Sequence, residues 1–269
     1  MAELTAWQSY RVLLGSRIRS QLAYRSSFAI NVLNAFLLGI LEFTEIYVLL
    51  TNVPVLGGLN LRQAALVFAL GNVGFSLADL VFGQLDAIPT YLRMGRLEAF
   101  LVRPMPLMAQ MITSDLQLRR IGRTLIGLVI LAVALISLDL VWSPGVVYLL
   151  VVTPVVGAAI YGALFAIAGG IQFFIVDGAE FTSSFVYGGA YAGQLPGSVL
   201  LAPLRVLFTF VVPATVTAYL PTLLILGLEG PRFLPAWLGW FAPLFAVWAW
   251  LLAALAWRTG IRRFTGAGG

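Results

Sequence analysis

The sequence predicts an all-α polytopic membrane protein. The expected layout is six transmembrane helices, an N-terminal interfacial helix, and a re-entrant or broken segment before the last helix. Three observations lead there. Of 269 residues, 61% are hydrophobic and only 10% are charged, where soluble domains carry about a quarter charged residues. Mean hydropathy is +0.97. The arginines cluster: four before residue 26, six in or beside 85–123, and three after 257. An even number of crossings puts all three clusters on one side, as the positive-inside bias requires. At roughly 20 residues per crossing, residues 1–269 read as a single transmembrane domain.

The elements follow in order. Residues 1–26 lack the continuous apolar core of a signal peptide. Their apolar residues at 7, 10, 14 and 18 alternate with Arg11, Arg17, Arg19 and Arg25, which predicts an amphipathic helix at the interface. Spans are expected at 27–50 and 61–84, joined by the turn-rich loop 51–60. A polar stretch over 85–120 contains the coupling segment 85–104 discussed below. A third span over 121–139 ends at the turn Trp142-Ser143-Pro144-Gly145, and a fourth covers 146–170. Asp177 and Glu180 beyond it read as an interfacial turn. Gly71, Gly74, Gly157, Gly162, Gly169 and Gly170 permit close helix approach. The last span is 236–257, with Trp237, Trp240 and Trp257 suited to interfacial belts.

Region 171–228 is apolar enough for two crossings, but two would put the basic tail on the wrong side. Pro196, Pro203, Pro213 and Pro221 break its second half. The preferred layout has a fifth span at 173–194 and a re-entrant pair at 198–227, packed against protein. The alternative makes 173–194 an excursion and 198–227 the span.

Absences exclude whole function classes. The chain has no Cys and no His, and all sixteen basic residues are Arg. Thiolate and imidazole metal sites and His-based acid–base catalysis are excluded. A Walker A loop requires Lys, so this chain cannot be an ATP-driven motor by itself. The spread of arginines along a membrane chain gives no reason to expect nucleic-acid binding.

Three motifs carry a resemblance. The first is Met94-Gly95-Arg96-Leu97-Glu98-Ala99-Phe100-Leu101-Val102-Arg103-Pro104. The second joins Gln194-Leu195-Pro196, Leu204-Arg205, Val212-Pro213 and Tyr219-Leu220-Pro221. The third is the tail from Gly260 to Gly268. In this order on six spans, they resemble the ABC type-2 exporter permeases, and more narrowly a bacterial ABC-2 subgroup often labelled only as a domain of unknown function. The family pattern has Asp where this chain has Glu98, and Tyr where it has Leu195 and Phe264. The resemblance covers nearly the whole chain. It implies a membrane subunit of an exporter in the bacterial cytoplasmic membrane, with both termini cytoplasmic. It also implies a second permease, identical or paralogous, and cytosolic ATPase subunits that bind ATP and Mg; no cofactor is expected in this chain.

The resemblance makes 85–104 a coupling helix docking on the ATPase. Asp86, Arg93, Arg96, Glu98 and Arg103 would supply charge. Ile88, Tyr91, Leu92, Leu97 and Phe100 would supply an apolar patch, with Pro89 near the helix start. Ionisable residues inside spans are functional candidates. Glu42 and Glu45 lie three apart on one face of the first span, in its outer half. They line a substrate path or pair with Arg205; the alternative is plain hydration and local hydrogen bonding. Asp79 is expected to pair with an arginine of the entry helix. A gradient-driven transporter would want inverted repeats, and none is evident. An intramembrane enzyme would want a clustered Asp motif, and none appears.

Overall fold

The computed structural model describes residues 15–16, 18–20, 23–52, 55–114, 120–175 and 178–264. These form eleven α-helices and no strand beyond one isolated bridge, Leu56 to Leu59. In chain order they are α1 (Arg25–Asn52), α2 (Leu61–Phe82), α3 (Ile88–Arg93), α4 (Glu98–Leu101), α5 (Leu107–Ser114) and α6 (Ile121–Ser137). There follow α7 (Pro144–Ile171), α8 (Ala179–Gly193), α9 (Ala202–Val206), α10 (Tyr219–Ile225) and α11 (Ala242–Arg263). The interfacial helix expected over 1–26 lies mostly outside the described residues, as does Asp177.

Four helical stretches are long and apolar enough to cross a membrane: Arg25–Glu45, Leu61–Arg93, Pro144–Ile171 and Ala236–Arg263. The other two expected spans are shorter. The segment 121–139 gives the 17 residues of α6. The segment 173–194 gives the 15 residues of α8, which begins only at 179. Six long helices are therefore not present among the described residues. Pro196, two residues past Gln194, explains where α8 stops: it lacks an N–H and disfavours helix in the residue before it.

Local signals set the helix starts. Asn60 and Gln63 form a reciprocal capping box at α2. Ser143 accepts from the Val146 N–H at α7, with Pro144 in the first turn, so the expected Ser-Pro turn is also a helix cap. The α2 stretch is the centre of the bundle: 78% of its apolar window is buried, against 6% for α1. Its contact with α7 rests on glycine. A Cβ added at Gly74 would lie 3.2 Å from the Gly157 Cα. At the far end of α7, a Cβ on Gly170 would lie 2.8 Å from the Ala256 backbone of α11. The packing role expected for these glycines is what permits both approaches. Trp257 is buried against α7 rather than exposed in a belt.

The end of the bundle that carries α3, α4 and α5 also carries the first turn of α1 and the last turn of α11. Gly122 of α6 packs on Val32 and Phe36 of α1, and Gly39 packs on Ile126, so these two helices run parallel. Gly260 packs on Gly170. We call this the charged end.

Residues 194–227 form a broken hairpin. At its start, the Ser198 hydroxyl donates to the Gly57 carbonyl at 2.6 Å, in the loop opposite the charged end. The chain then descends through α9 and a π-helical turn, Leu207–Val211. It reverses at 212–218, where Thr217 packs on Gly157, the middle of α7. It returns through α10 toward Gly227, which shares a cleft with Asp139 and Leu140 beyond the end of α6. Hydrogen bonds replace the lost helical ladder: Thr209 to Thr215 at 2.8 Å, and the Thr215 N–H to the Phe208 carbonyl at 2.9 Å. Tyr161 of α7 meets the Thr217 hydroxyl at 3.1 Å. All these side chains are fully buried, which suits irregular backbone at this depth in a bundle.

Candidate functional site

Two features stand out, one inside the bundle and one at its charged end. The first is a polar cleft of about 210 Å3. Asn31, Asn34 and Glu42 reach it from α1, Asp79 from α2, Arg120 and Arg123 from the start of α6, and Tyr187 from α8. Arg120 and Arg123 are three residues apart and share a face of the helix. Arg120 pairs with Asp79 at 2.9 Å and also donates to the Asp79 carbonyl. Arg123 pairs with Glu42 at 2.5 Å, and its guanidinium lies 4.9 Å from the centre of the Phe75 ring, a cation–π contact. The start of α6 thus ties α1 and α2 together through two ion pairs. Tyr187 stands at the edge of the same cleft, edge-on to Phe75 and Phe165. Its hydroxyl donates to Asp86 at 2.6 Å.

These pairings correct two expectations. Glu42 does not pair with Arg205. Arg205 donates instead to the carbonyls of Gly197, Ser198 and Leu200 at 2.9–3.2 Å, so it holds the start of the broken hairpin. Asp79 pairs with Arg120, not with the entry helix. Glu42 lies past the midpoint of α1, as expected. There it meets Asn72, the middle of α2, at 3.5 Å. Glu45 lies one turn further, beside Tyr191 of α8.

The second feature is the segment 83–114. A 3-10 turn, Gly83–Ala87, continues α2 into α3, and Pro89 sits in the first turn of α3 as expected. The helix ends in a Schellman motif. Gly95 has φ +63°, the Arg96 N–H bonds to the Tyr91 carbonyl at 3.0 Å, and the Gly95 N–H bonds to Leu92 at 3.2 Å. Gln110 of α5 donates to the carbonyls of Phe100 and Met105 at 2.9 and 2.8 Å. Tyr91 packs edge-on to Phe100, and the Arg103 guanidinium lies over the Phe100 ring, 5.5 Å from its centre.

The expected apolar patch is turned the other way. Ile88 and Leu97 are fully buried in the protein's own core, where Ile88 packs on Gly169 of α7. Tyr91, Leu92 and Phe100 are half-buried beside them. Asp86 also faces inward, to Tyr187. The exposed apolar residues are Met94, Leu101 and Val102, at 59, 45 and 85% exposure. Around them Arg93, Arg96, Glu98 and Arg103 are exposed.

Residues 36–268 match the family model described as ABC-2 family transporter protein. The chain belongs to the ABC-2 transporter family. No curated protein and no solved structure matches it. As an ABC-2 membrane component, the chain is a multi-pass membrane protein and the permease part of an ABC transporter. The match covers the 83–114 segment, the broken hairpin and the cleft residues from Leu38 onward, and leaves out Asn31 and Asn34. Sequence reading singled out Glu42, Asp79 and the 85–104 segment of this ABC-2 permease. It passed over Arg120, Arg123, Tyr187 and Gln110 as site residues. The signal for the two arginines was available: they lie three apart at the start of a span, in a chain with acidic residues in two other spans.

Proposed function

We propose that this chain is the membrane-spanning subunit of an ABC exporter, driven by separate ATPase subunits that dock on residues 93–103. The observation that carries this reading is the exposed patch of Met94, Leu101 and Val102 ringed by Arg93, Arg96, Glu98 and Arg103. Exposed apolar residues on a rigid frame, rimmed by charge, fit a protein contact. The frame is rigid because Ile88 and Leu97 anchor its other side in the core. Family membership makes an ABC ATPase the occupant. Asp86 and Tyr187 then link the docked segment to the cleft between α1 and α8. Glu42 and Glu45 line the substrate path there, and Arg205 steadies the hairpin at its far end.

In this reading the chain crosses a bacterial cytoplasmic membrane six times, through α1, α2, α6, α7, the segment containing α8, and α11. Residues 198–227 enter and leave on the outer face. Both termini and the docking segment are cytoplasmic. A second permease, identical or paralogous, completes the transporter, and ATP and Mg belong to the ATPase.

The test is co-expression with ABC ATPases of the same genome, followed by co-purification and hydrolysis assays. Val102→Asp and Arg96→Glu should each lower ATPase retention about tenfold, the equivalent of about 1.4 kcal/mol. Full retention and normal coupling in both variants would remove the docking surface. Transport in vesicles with an ion gradient and no nucleotide would remove the exporter reading.

A further inference from the structure

The cleft between α1, α6 and α8 raises a question about its occupant. Its volume, about 210 Å3, is far more than one water needs. Charged side chains in apolar surroundings are costly unless they are paired and hydrogen-bonded. The two ion pairs meet part of that need. The Arg123 Nε remains buried with no hydrogen-bond partner among the described residues. A polar occupant that accepts hydrogen bonds would meet the rest.

The lining also restricts the charge of that occupant. Two guanidiniums and two carboxylates line the cleft as the pairs Arg123–Glu42 and Arg120–Asp79, whose charges sum to zero, and a third carboxylate, Asp86, lies behind Tyr187. An ion of one sign would meet like charge on one side of the lining whichever sign it carried. A group carrying both signs a few bonds apart meets a counter-charge at each end. Its anionic oxygens would face the guanidiniums. Its cation would face Glu42 and Asp79.

The cleft is also open to an apolar environment. Leu38, on its rim, is half-exposed. The helix that carries it presents an apolar stretch of 21 residues, 6% buried. An acyl chain can lie along α1 while the head sits between Arg123 and Tyr187.

We propose that the cleft binds the zwitterionic head of an amphiphile, a phosphodiester joined to an ammonium, with its hydrocarbon tail along α1. This rests on the exporter reading only for its consequence, that such an amphiphile is the transported class. The binding itself needs no ATPase.

Native mass spectrometry of the purified chain tests it, with phosphatidylethanolamine, phosphatidylglycerol and a monoglucosyl diacylglycerol of the same acyl chains. Phosphatidylethanolamine should be retained about tenfold better than the other two, a difference of about 1.4 kcal/mol. Glu42→Gln and Arg123→Gln should each abolish the preference, and the exchanged pair Glu42→Arg with Arg123→Glu should restore it. Asn34→Leu, on an exposed position away from both ion pairs, should weaken retention without touching the fold. Equal retention of all three lipids overturns the proposal, as does preference for the anionic or the sugar head. So does full phosphatidylethanolamine retention by Asn34→Leu. A chain that couples to an ATPase but fails this test loses only the head-group proposal. A chain that passes it but binds no ATPase loses only the exporter reading.

Discussion

Arg123 carries a charge into the bundle, where it meets Glu42 of α1 and the Phe75 ring of α2. The two paired side chains are 22 and 31% exposed. Losing one partner therefore costs less than the roughly 3–5 kcal/mol of a fully buried pair and more than an exposed one. Arg123→Gln should destabilise the chain by about 1–2 kcal/mol. The double variant with Glu42→Gln should recover most of that loss. Thermal unfolding in detergent, arranged as a double-mutant cycle, measures it; strictly additive losses would show that the two do not interact. Tyr187→Phe tests a different link. It removes one hydrogen bond to the Asp86 carboxylate, worth about 1.5–3 kcal/mol for a charged acceptor, and leaves the ring against Phe75 and Phe165. Transport should fall while hydrolysis by the partner ATPase persists. Unchanged transport would sever the proposed path from docking segment to cleft. At this scale the sequence was half informative. Carboxylates inside apolar spans are conspicuous, so Glu42 and Asp79 were legible. Their arginine partners were not, because positive-inside bias already accounts for every arginine at that end. Tyr187 has no periodic signature, since a hydroxyl in an apolar helix looks the same whether it meets lipid, backbone or a carboxylate.

Among the elements, the hinge between α3 and α4 shows why one residue type is needed. Gly95 has φ +63°, a region in which other L-residues cost about 1–2 kcal/mol. No atom stands within 4 Å of a Cβ placed there, so the penalty is conformational and not steric. Gly95→Ala should therefore shift the angle between α3 and α4 and weaken ATPase co-purification. Gly95→Asn should retain more of it, because Asn tolerates the left-handed region. Equal retention by Gly95→Ala and the parent chain would mean that this turn does not set the docking face. The same segment shows why periodicity alone misplaces its apolar patch. A short run that alternates apolar and charged residues has two faces, and periodicity does not say which face meets the protein's own core. Ile88 and Leu97 were expected to face a partner, but α7 presents Gly169 at that level and Ile88 fills the gap. The long helices were more legible. Their length and apolar content fix α1, α2 and α7 within two residues, while α11 runs six residues later than expected at each end, and the capping residues Asn60 and Ser143 mark two of the starts.

Across the whole molecule, the arrangement of region 171–228 decides the topology. Four prolines made its interruption legible, but they do not give the direction of the chain after each break. That direction follows from long-range contacts: Ser198 on Gly57 at one end, and Thr217 on Gly157 at the turn. If α1, α2, α6, α7 and α11 cross the membrane, the hairpin starts and finishes on the side of the 55–60 loop. The chain has no cysteine, so single cysteines can report sidedness without background. Val102→Cys and Val141→Cys are references for the two ends, and Leu201→Cys and Phe233→Cys flank the hairpin; all four positions are exposed. With a membrane-impermeant maleimide, Val102→Cys should label only in inside-out vesicles. Val141→Cys, Leu201→Cys and Phe233→Cys should label only in right-side-out ones. Thr217→Cys, at a fully buried position, should label in neither until the protein is denatured. The layout in which 198–227 crosses once makes a different prediction: Leu201→Cys labels with Val102→Cys, while Phe233→Cys stays with Val141→Cys. That outcome would overturn the re-entrant hairpin and the six-crossing path built on it.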